Sequence, residues 1–470
     1  MNPEGKTLIK NGVLFSIAPF LPKMVSILLL PIMTKYLTAT DYGIAGTISA
    51  YSESIGAFTT LGLTVVLMNS FYKYPESFKE TWKKIYGFLN CWMIIYAILQ
   101  AIILYLCIPE EAADNKWWII GLTNFSTVLF GPTANIGSMY YTYNKQSFPV
   151  VWRSVLASMI TLIGTFVMVV CLKGGYMGWY VGGFIGTFFS NMTYWPVVNL
   201  KLGIRPSYKF SREEIKHYLS ISMPTIPHYY STYLLQGSGR MVLDQYHCDR
   251  DKIGQLSIAQ QIGGLFEVAV TGMNRAVSPF FMTYIKKEEW PRYKKLAIVF
   301  ISVVFSLTFM ISIWSKEIFD ILLSNEELAS SYPYAILYIM AFCYRPMYVI
   351  ASNFNFYFEK TKQLLWTTLL SGVIAFIFYI GFIPIWGVWA FLIGRYIACL
   401  YYGYSLYYYS CYKQHSQIRI RPLLVLFAQL FITAMAFLLV DYLIIKIVIT
   451  ILLLLSLCLV YKRYRCIIMK

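Results

Sequence analysis

The apolar run LLVLFAQLFITAMAFLLV at residues 423–440, followed by Asp441 and by YLIIKIVITILLLLSLCLVY at residues 442–461, decides the fold of this chain. Each run is long enough, as a helix, to cross a bilayer core of about 30 Å. A single helix over both runs would extend about 60 Å, so Asp441 is predicted to mark a turn. A transmembrane β-strand would instead alternate polar and apolar residues over about 10 positions.

The composition of the whole chain agrees with a membrane protein. Of 470 residues, 58% are hydrophobic and only 13% are charged, and the mean hydropathy is +0.57, whereas soluble domains carry about 25% charged residues. These values exclude an ordinary soluble enzyme, a disordered protein and a small disulfide scaffold. The nine cysteines form no CxxC pair and the four histidines are scattered, so we expect neither a metal site nor a cofactor.

The hydropathy pattern predicts an all-α polytopic membrane protein with about fourteen transmembrane helices. The predicted spans are 9–34, 42–70, 85–108, 117–140, 150–172, 176–200, 217–239, 254–284, 295–315, 332–358, 364–384, 387–410, 422–440 and 442–461.

The net charge of +17 is predicted to be an orientation signal. When connections are assigned alternately to the two sides, 27 of the 39 Lys and Arg residues fall on the side of the termini and 8 on the other. Cytoplasmic connections of membrane proteins are enriched in these residues. Both termini are therefore predicted to lie in the cytoplasm, and binding of nucleic acid is not needed to explain the charge.

A Pro-x-x-Pro motif occurs at the start of the first and the seventh span, and a carboxylate lies in each following span. The prolines are Pro19, Pro22, Pro224 and Pro227, and the carboxylates are Glu53 and Glu267. Because six spans separate the motifs, we predict two six-helix lobes as parallel pseudo-repeats, residues 1–202 and 203–412, with an appended helix pair at residues 413–470. Proline kinks at the start of each lobe could then bend during transport, although proline is also simply frequent in transmembrane helices.

Charges within the spans are costly and often functional. The bases are Lys23, Arg275, Arg345 and Arg395, and the acids are Glu53 and Glu267. The positive excess suits an anionic ligand, and arginine offers a planar fork for phosphate oxygens. Alternatives stay open: Arg275 could pair with Glu267, Arg345 could bond carbonyls freed by Pro346, and both acids could be counter-ions rather than ion-coupling sites.

Other polar and aromatic residues within the spans suit a sugar. Candidates for sugar contacts are Tyr229, Tyr230, Tyr233, Gln260, Asn274 and Asn353. Amides also serve as hydrogen-bonding contacts between helices, which is the alternative for them. The sequence contains no GxGxxG, GxxxxGK[ST], HExxH or GxSxG motif, so we predict that the protein is not an enzyme.

Several stretches resemble the Wzx-type polysaccharide biosynthesis proteins, the flippases of O-antigen or capsule repeat units. They are LLLPIMTKYLT at 28–38 with DYG at 41–43, LGL at 61–63, and MPTIP at 223–227 with Arg240. That family is related to the multidrug extruders and to the peptidoglycan lipid flippases. Many members carry an Asp-Arg pair where this chain has Gly239 and Arg240, which weakens any role for an acid there.

The resemblance implies that the protein moves a polyprenyl-pyrophosphate-linked oligosaccharide from the cytoplasmic to the outer leaflet of a bacterial cytoplasmic membrane. Two lobes would rock about a central cationic cavity, with membrane lipids, a polysaccharide polymerase and a chain-length regulator as partners. One rival is a multidrug or cation antiporter of the same superfamily, for which intramembrane acids should outnumber bases. Another is a membrane-embedded polymerase or ligase, which should carry a large external loop.

Overall fold

The computed structural model describes residues 23, 26–144, 146, 148–418 and 420–468, without the side chains of His228 and of residues 457–468. Helices dominate this part of the chain, as the sequence predicts. It divides between Tyr230 and Ser231 into two compact units, unit 1 and unit 2. Most of the first predicted span, including Pro19 and Pro22, lies outside the described residues.

Unit 1 is a set of helices joined by short connections. They are α1 (Leu30–Met33), α2 (Ala39–Ser54), α3 (Thr64–Lys73), α4 (Phe78–Cys107), α5 (Lys116–Tyr143), α6 (Phe148–Phe166), α7 (Met177–Pro196), α8 (Arg212–Ser222) and the first part of α9 (Ile226–Gln236). Helices α6 and α7 each continue into a turn of π-helix, Val167–Cys171 and Val197–Lys201.

The predicted span 42–70 is interrupted rather than continuous. A capping box begins α2, because the Thr38 hydroxyl accepts from the Asp41 amide at 3.1 Å and the Asp41 carboxylate accepts from the Thr38 amide at 2.8 Å. After a 3₁₀ turn at Gly56–Thr59, Leu61 and Gly62 adopt φ of 48° and 69°. These left-handed conformations break the helix before α3 begins.

Trp82 lies at the centre of the packing in unit 1. Its side chain is fully buried, and its indole N–H donates to the Leu67 carbonyl at 3.1 Å and to the Ser70 hydroxyl at 3.0 Å. Nearby, Gly87 of α4 lies against the backbone of Ser207: a Cβ at Gly87 would be 2.0 Å from the Ser207 carbonyl oxygen. The segment that follows α7 is therefore fixed against α4.

Unit 2 contains the remaining helices. They are the rest of α9, α10 (Ser238–Gln245), α11 (Arg250–Lys286), α12 (Trp290–Ile313), α13 (Ser315–Leu322), α14 (Glu326–Ala329), α15 (Tyr332–Met340), α16 (Tyr344–Tyr357), α17 (Thr361–Trp386), α18 (Val388–Tyr404), α19 (Ser410–His415), α20 (Pro422–Leu439) and α21 (Leu443–Ile468).

Helices α15 and α16 form the interior of unit 2. In the stretch Glu326–Tyr357, 89% of the 18 most apolar consecutive residues are buried. In the other long apolar helices of the described chain, the corresponding share is 11–39%. Helices α11, α12 and α18 pack around it. The outward apolar faces of the other long helices are what a hydrocarbon environment requires.

Six helical stretches in the described residues are long and apolar enough to cross a membrane. They are Phe78–Cys107, Phe148–Cys171, Trp290–Ile313, Glu326–Tyr357, Thr361–Trp386 and Pro422–Leu439. The number fourteen stays a prediction, as do the lobe boundaries at residues 202 and 412. The chain does turn at Asp441, whose carboxylate lies 2.6 Å from the Lys316 ammonium of α13.

Candidate functional site

An acid and a base predicted as site residues meet inside unit 2. Glu267 of α11 and Arg345 of α16 lie 3.6 Å apart, carboxylate oxygen to guanidinium nitrogen. The same Glu267 oxygen accepts a hydrogen bond of 3.5 Å from the Gln236 amide. Both contacts are long. Because the Glu267 and Arg345 side chains are 25% and 20% exposed, this pair lies at an accessible surface of the unit.

Arg395 of α18 is buried more deeply than Arg345. Its side chain is only 2% exposed, and its guanidinium lies 3.9 Å from the Tyr338 ring centroid and 5.1 Å from that of Phe342. One terminal nitrogen donates to the Tyr338 carbonyl at 3.2 Å. The aromatic faces stabilise the cation without neutralising it.

A third guanidinium belongs to Arg240 of α10. Its Nε donates to the Gln260 side-chain oxygen at 2.7 Å, and its Nη2 donates to the same oxygen. Gln260 is buried on α11, seven residues before Glu267. Seven residues are about two helical turns, so Gln260 and Glu267 share one face of α11.

These side chains form what we call the guanidinium cluster. Its members are Gln236, Arg240, Gln260, Glu267, Arg345 and Arg395. The Glu267 carboxylate interacts electrostatically with both Arg345 and Arg395. Arg345 and Arg395 carry two positive charges against the one negative charge of Glu267. A further ion pair of unit 2 joins Asp244 and Arg250 at 2.6 Å.

Glycines let α11 and α18, which carry members of the cluster, approach their neighbouring helices closely. A Cβ at Gly263 of α11 would lie 2.5 Å from the Tyr338 ring, and one at Gly394 of α18 would lie 2.7 Å from the Phe378 ring. Real Cβ contacts are longer than this. Small residues at these crossings therefore let α11 pack closely against α15, and α18 against α17.

Other predicted residues of unit 2 lie outside this cluster. Arg275 is exposed further along α11, and in the described part of the chain no ion pair involves it, whereas Glu267 pairs with Arg345. Asn274 has a buried side-chain oxygen without a hydrogen-bond partner. Asn353 donates to the Val349 carbonyl of its own helix at 2.7 Å. Tyr233 is buried, with its hydroxyl 3.9 Å from the Met241 sulfur.

The predicted residues of unit 1 do not form a comparable cluster. Lys23 and Glu53 are both exposed. The hydroxyls of Tyr229 and Tyr230 donate to the backbone carbonyls of Glu53 at 3.4 Å and Ser54 at 2.7 Å. These carbonyls end α2, where a helix leaves acceptors unpaired. The two tyrosines thus complete the end of α2.

The second Pro-x-x-Pro motif coincides with an interruption of the helix. Helix α8 ends at Ser222, a 3₁₀ turn covers Met223–Thr225, and α9 begins at Ile226. Pro224 lies in the turn and Pro227 in the first turn of α9. Proline is tolerated at these positions, where its missing N–H has no partner to lose.

Two arginines counted with the connections in the charge bias lie within helices, Arg240 half-buried and Arg153 buried. Arg240 and Arg153 were assigned to connections, but Arg240 belongs to α10 and Arg153 to α6, where it is only 6% exposed. The signal available for Arg240 was its position four residues after Gln236, on one face of a helical stretch. Arg153 already lies within the predicted span 150–172, and its place in that span was the signal that it belongs to a helix.

Unit 2 thus presents a charged cluster between membrane-type helices, which is the construction of a membrane transport protein. The chain belongs to the family described as "Polysaccharide biosynthesis protein", whose pattern matches residues 8–285. It is 20% identical over 397 residues to protein 1 of the Lsg locus of Haemophilus influenzae, covering 78% of this chain and 89% of that one. The resemblance found in the sequence is therefore confirmed at the level of the family.

Solved structures share the fold. The lipid II flippase MurJ, in an inward closed conformation, matches with a TM-score of 0.72 and 18% identity, over 97% of this chain and 100% of that chain. A multidrug resistance MATE family transporter of the MOP superfamily matches with a TM-score of 0.53 and 13% identity, over 85% and 94%. At these identities the likeness concerns the fold, and it confirms an all-helical polytopic membrane protein.

Proposed function

We propose that this protein flips polyprenyl-pyrophosphate-linked oligosaccharide repeat units from the inner to the outer leaflet of a bacterial cytoplasmic membrane. The units would serve O-antigen, capsule or exopolysaccharide synthesis. Family membership supports a role in polysaccharide biosynthesis. The fold shared with a lipid II flippase supports transport of a lipid-linked saccharide. The cytoplasmic location of both termini, from the charge bias, belongs to the same proposal.

One observation carries this proposal: Arg345 and Arg395 interact with the single carboxylate of Glu267, and both keep donors that no described residue uses. The Nε atoms of Arg345 and Arg395 are buried, and within the described residues neither has a hydrogen-bond partner. An unsatisfied buried donor of a charged group is costly and calls for an explanation. A pyrophosphate would supply an acceptor to Arg345 and negative charge to both arginines.

The exposures of the two arginines assign them different roles. Arg345 is 20% exposed and pairs with Glu267 only at 3.6 Å, so phosphate oxygens can reach it. The Arg395 side chain is 2% exposed, and its guanidinium lies near the rings of Tyr338 and Phe342. Its charge acts through the field it adds to the cluster. Among the predicted bases of unit 2, Arg345 is therefore the proposed direct contact.

The direction of transport is consistent with this charge. An anion leaving the cytoplasm moves down an inside-negative membrane potential, a gain of about 2.3 kcal/mol per charge per 100 mV. The charges of Arg345 and Arg395 would lower the cost of bringing the headgroup between the helices. Glu267, the counter-ion of Arg345, would be displaced when phosphate binds.

The test is complementation of a bacterial strain whose own exporter of this family is deleted. Arg345→Ala is expected to abolish surface polysaccharide while lipid-linked repeat units accumulate in the cytoplasmic leaflet. Arg345→Lys keeps the charge but loses the fork, and should retain part of the export. Membrane fractions are probed to confirm equal insertion.

The matched control is Arg292→Ala, because Arg292 forms an exposed ion pair with Glu289 at 2.9 Å, away from the cluster. Export by this variant is expected to be normal. Normal export by correctly inserted Arg345→Ala protein would refute the proposed role of the cluster.

A cation or multidrug antiporter is a second candidate, favoured by one feature of the same site. The Glu267 carboxylate is a quarter exposed and held by two long contacts, so a proton or cation could compete for it. This function predicts that Glu267→Gln abolishes drug resistance in cells expressing the protein. The flippase predicts no such resistance, and polysaccharide export that depends more strongly on Arg345.

A further inference from the structure

Unit 1 contains an open cleft that is separate from the residues considered so far. It has a volume of about 610 Å³ and lies between α4, α5, the end of α7 and the segment that follows α7. Its polar lining includes Asn90, Asn199 and Arg205. Its apolar lining includes Ile94, Leu129 and Leu200. A pocket of this size matches a small amphiphilic ligand or part of a larger one.

Arg205 is held at the cleft by a locally specialised backbone. The π-helical turn Val197–Lys201 ends α7, and Gly203 then adopts φ of 67°, a conformation that suits glycine. Ile204 is fully buried and anchors the segment. The Arg205 Nε donates to the Asn199 carbonyl at 3.3 Å. This bond fixes the base of the side chain.

The rest of the Arg205 guanidinium is available. The side chain is exposed, and in the described chain its two terminal nitrogens make no hydrogen bond or ion pair. Close by, the Asn90 amide donates to the Tyr208 hydroxyl at 3.4 Å. The polar lining of the cleft is therefore rich in donors and carries one positive charge.

The apolar side chains that line the cleft are exposed. Ile94, Leu129 and Leu200 are 59%, 51% and 61% exposed. Ile94 belongs to the long apolar helix α4, one of the candidate membrane spans. Exposed apolar side chains on such a helix contact acyl chains in a bilayer. The cleft thus joins a cationic polar lining to a surface suited to hydrocarbon.

We propose that this cleft binds an anionic phospholipid of the surrounding membrane, with its phosphate on Arg205 and an acyl chain along Ile94, Leu129 and Leu200. Basic pockets between helices at the cytoplasmic face recognise anionic headgroups. The segment after α7 belongs to the side that the charge bias assigns to the cytoplasm. That leaflet is rich in anionic lipid.

The single guanidinium favours a phospholipid over the transported polyprenyl pyrophosphate. A phosphodiester carries one negative charge, which one arginine with neutral amide neighbours can match. A pyrophosphate carries more charge and calls for several bases, which unit 2 provides in the guanidinium cluster. The cleft and the cluster therefore bind different anions.

The test uses the purified full-length protein in detergent. Native mass spectrometry and thermal unfolding are followed with added phosphatidylglycerol, phosphatidylcholine or a polyprenyl phosphate. Wild-type protein should bind phosphatidylglycerol in preference to phosphatidylcholine, with a raised melting temperature. Arg205→Gln should lose roughly tenfold in affinity for phosphatidylglycerol, which is the effect of removing a charge-assisted hydrogen bond.

The matched control is Arg212→Gln, since Arg212 is an exposed arginine at the start of α8 that does not line the cleft. It should keep the wild-type preference. Equal loss in both variants, or no preference in wild-type protein, would overturn the proposal. Displacement of phosphatidylglycerol by an equal concentration of polyprenyl phosphate would overturn it too, by assigning the cleft to the transported lipid. None of these results bears on Arg345, so the proposed transport function is judged separately.

Discussion

Each unit contains an arginine within a membrane-type helix, Arg153 in unit 1 and Arg345 in unit 2. The hydrogen-bond donors of these two side chains find partners to different extents. In unit 1, Arg153 donates to the Thr193 hydroxyl at 3.2 Å and to the Pro149 carbonyl at 2.6 Å. Its guanidinium also lies 4.5 Å and 4.7 Å from the ring centroids of Trp152 and Tyr194. Neutral acceptors and aromatic faces stabilise this cation within its own unit.

In unit 2, Arg345 has one long ion pair with Glu267 and a buried Nε without a described partner. A buried donor without an acceptor raises the free energy of the protein. A ligand that supplies an acceptor removes this cost and therefore binds more favourably. Burial alone therefore does not identify a functional arginine in a membrane protein. The number of donors left unused after folding separates Arg345 from Arg153.

The largest expected effect concerns the Arg345–Glu267 pair. Arg345→Met should lower the free energy of unfolding by about 2–4 kcal/mol, since it leaves the Glu267 charge with the Gln236 amide and the field of Arg395 but without an ion pair. The double variant Arg345→Met, Glu267→Met should recover most of that stability, because both charges are gone. Its export of polysaccharide should remain abolished.

Thermal unfolding in detergent measures the stability, and surface polysaccharide measures the export. The double variant is decisive, because it separates a structural ion pair from a ligand-binding one. If stability and export recovered together, Arg345 would have the same structural role as Arg153.

A smaller effect is expected for Arg153→Met. This change removes two hydrogen bonds and the contacts with the rings, so unfolding should become easier by about 1–3 kcal/mol. Export per inserted molecule should stay at the wild-type level, measured as polysaccharide relative to protein in the membrane fraction. A loss of export without a loss of stability would show that unit 1 also has a functional arginine.

The sequence predicted the fold class and the family because both depend on long, local patterns. Apolar runs of about 20 residues and the turn at Asp441 can be recognised without knowing any tertiary contact. The interruption at Leu61 and Gly62 was missed, because an apolar run does not reveal a leucine in a left-handed conformation. Gly62 lies there against Ser222 and Thr225, a tertiary contact that the residues around Gly62 do not reveal.

Individual residues of the guanidinium cluster could be predicted from the sequence. The contacts between them could not. Glu267, Arg345, Arg395 and Gln260 stand out because they are polar within apolar helices. Helical periodicity suggested Arg275 as a partner of Glu267, and the structure places Arg345 there instead. Which partner an intramembrane charge meets depends on the crossing of α11 with α16, and spacing along one helix does not contain that information.

The smallest expected effect concerns an ion pair at the end of a membrane helix, which sharpens the contrast with the Arg345–Glu267 pair. The Lys84 ammonium lies 2.5 Å from the Glu214 carboxylate. The hydrogen bond from Lys84 lowers the pKa of Glu214 below the usual value for a glutamate. The stability contributed by this carboxylate is therefore present above its ordinary pKa and is lost as the pH falls through the lowered pKa.

Glu214→Gln isolates this effect, because glutamine can still accept the hydrogen bond from the Ser211 amide that begins α8 but carries no charge. The melting temperature of the variant should depend less on pH between 7 and 3 than that of wild-type protein. Glu213→Gln, at the exposed neighbouring position, is the control and should follow the wild-type curve. Because water and salt screen this pair, its effect should shrink at high ionic strength. Salt should have less influence on the stability lost in Arg345→Met, since that pair lies among the helices of unit 2.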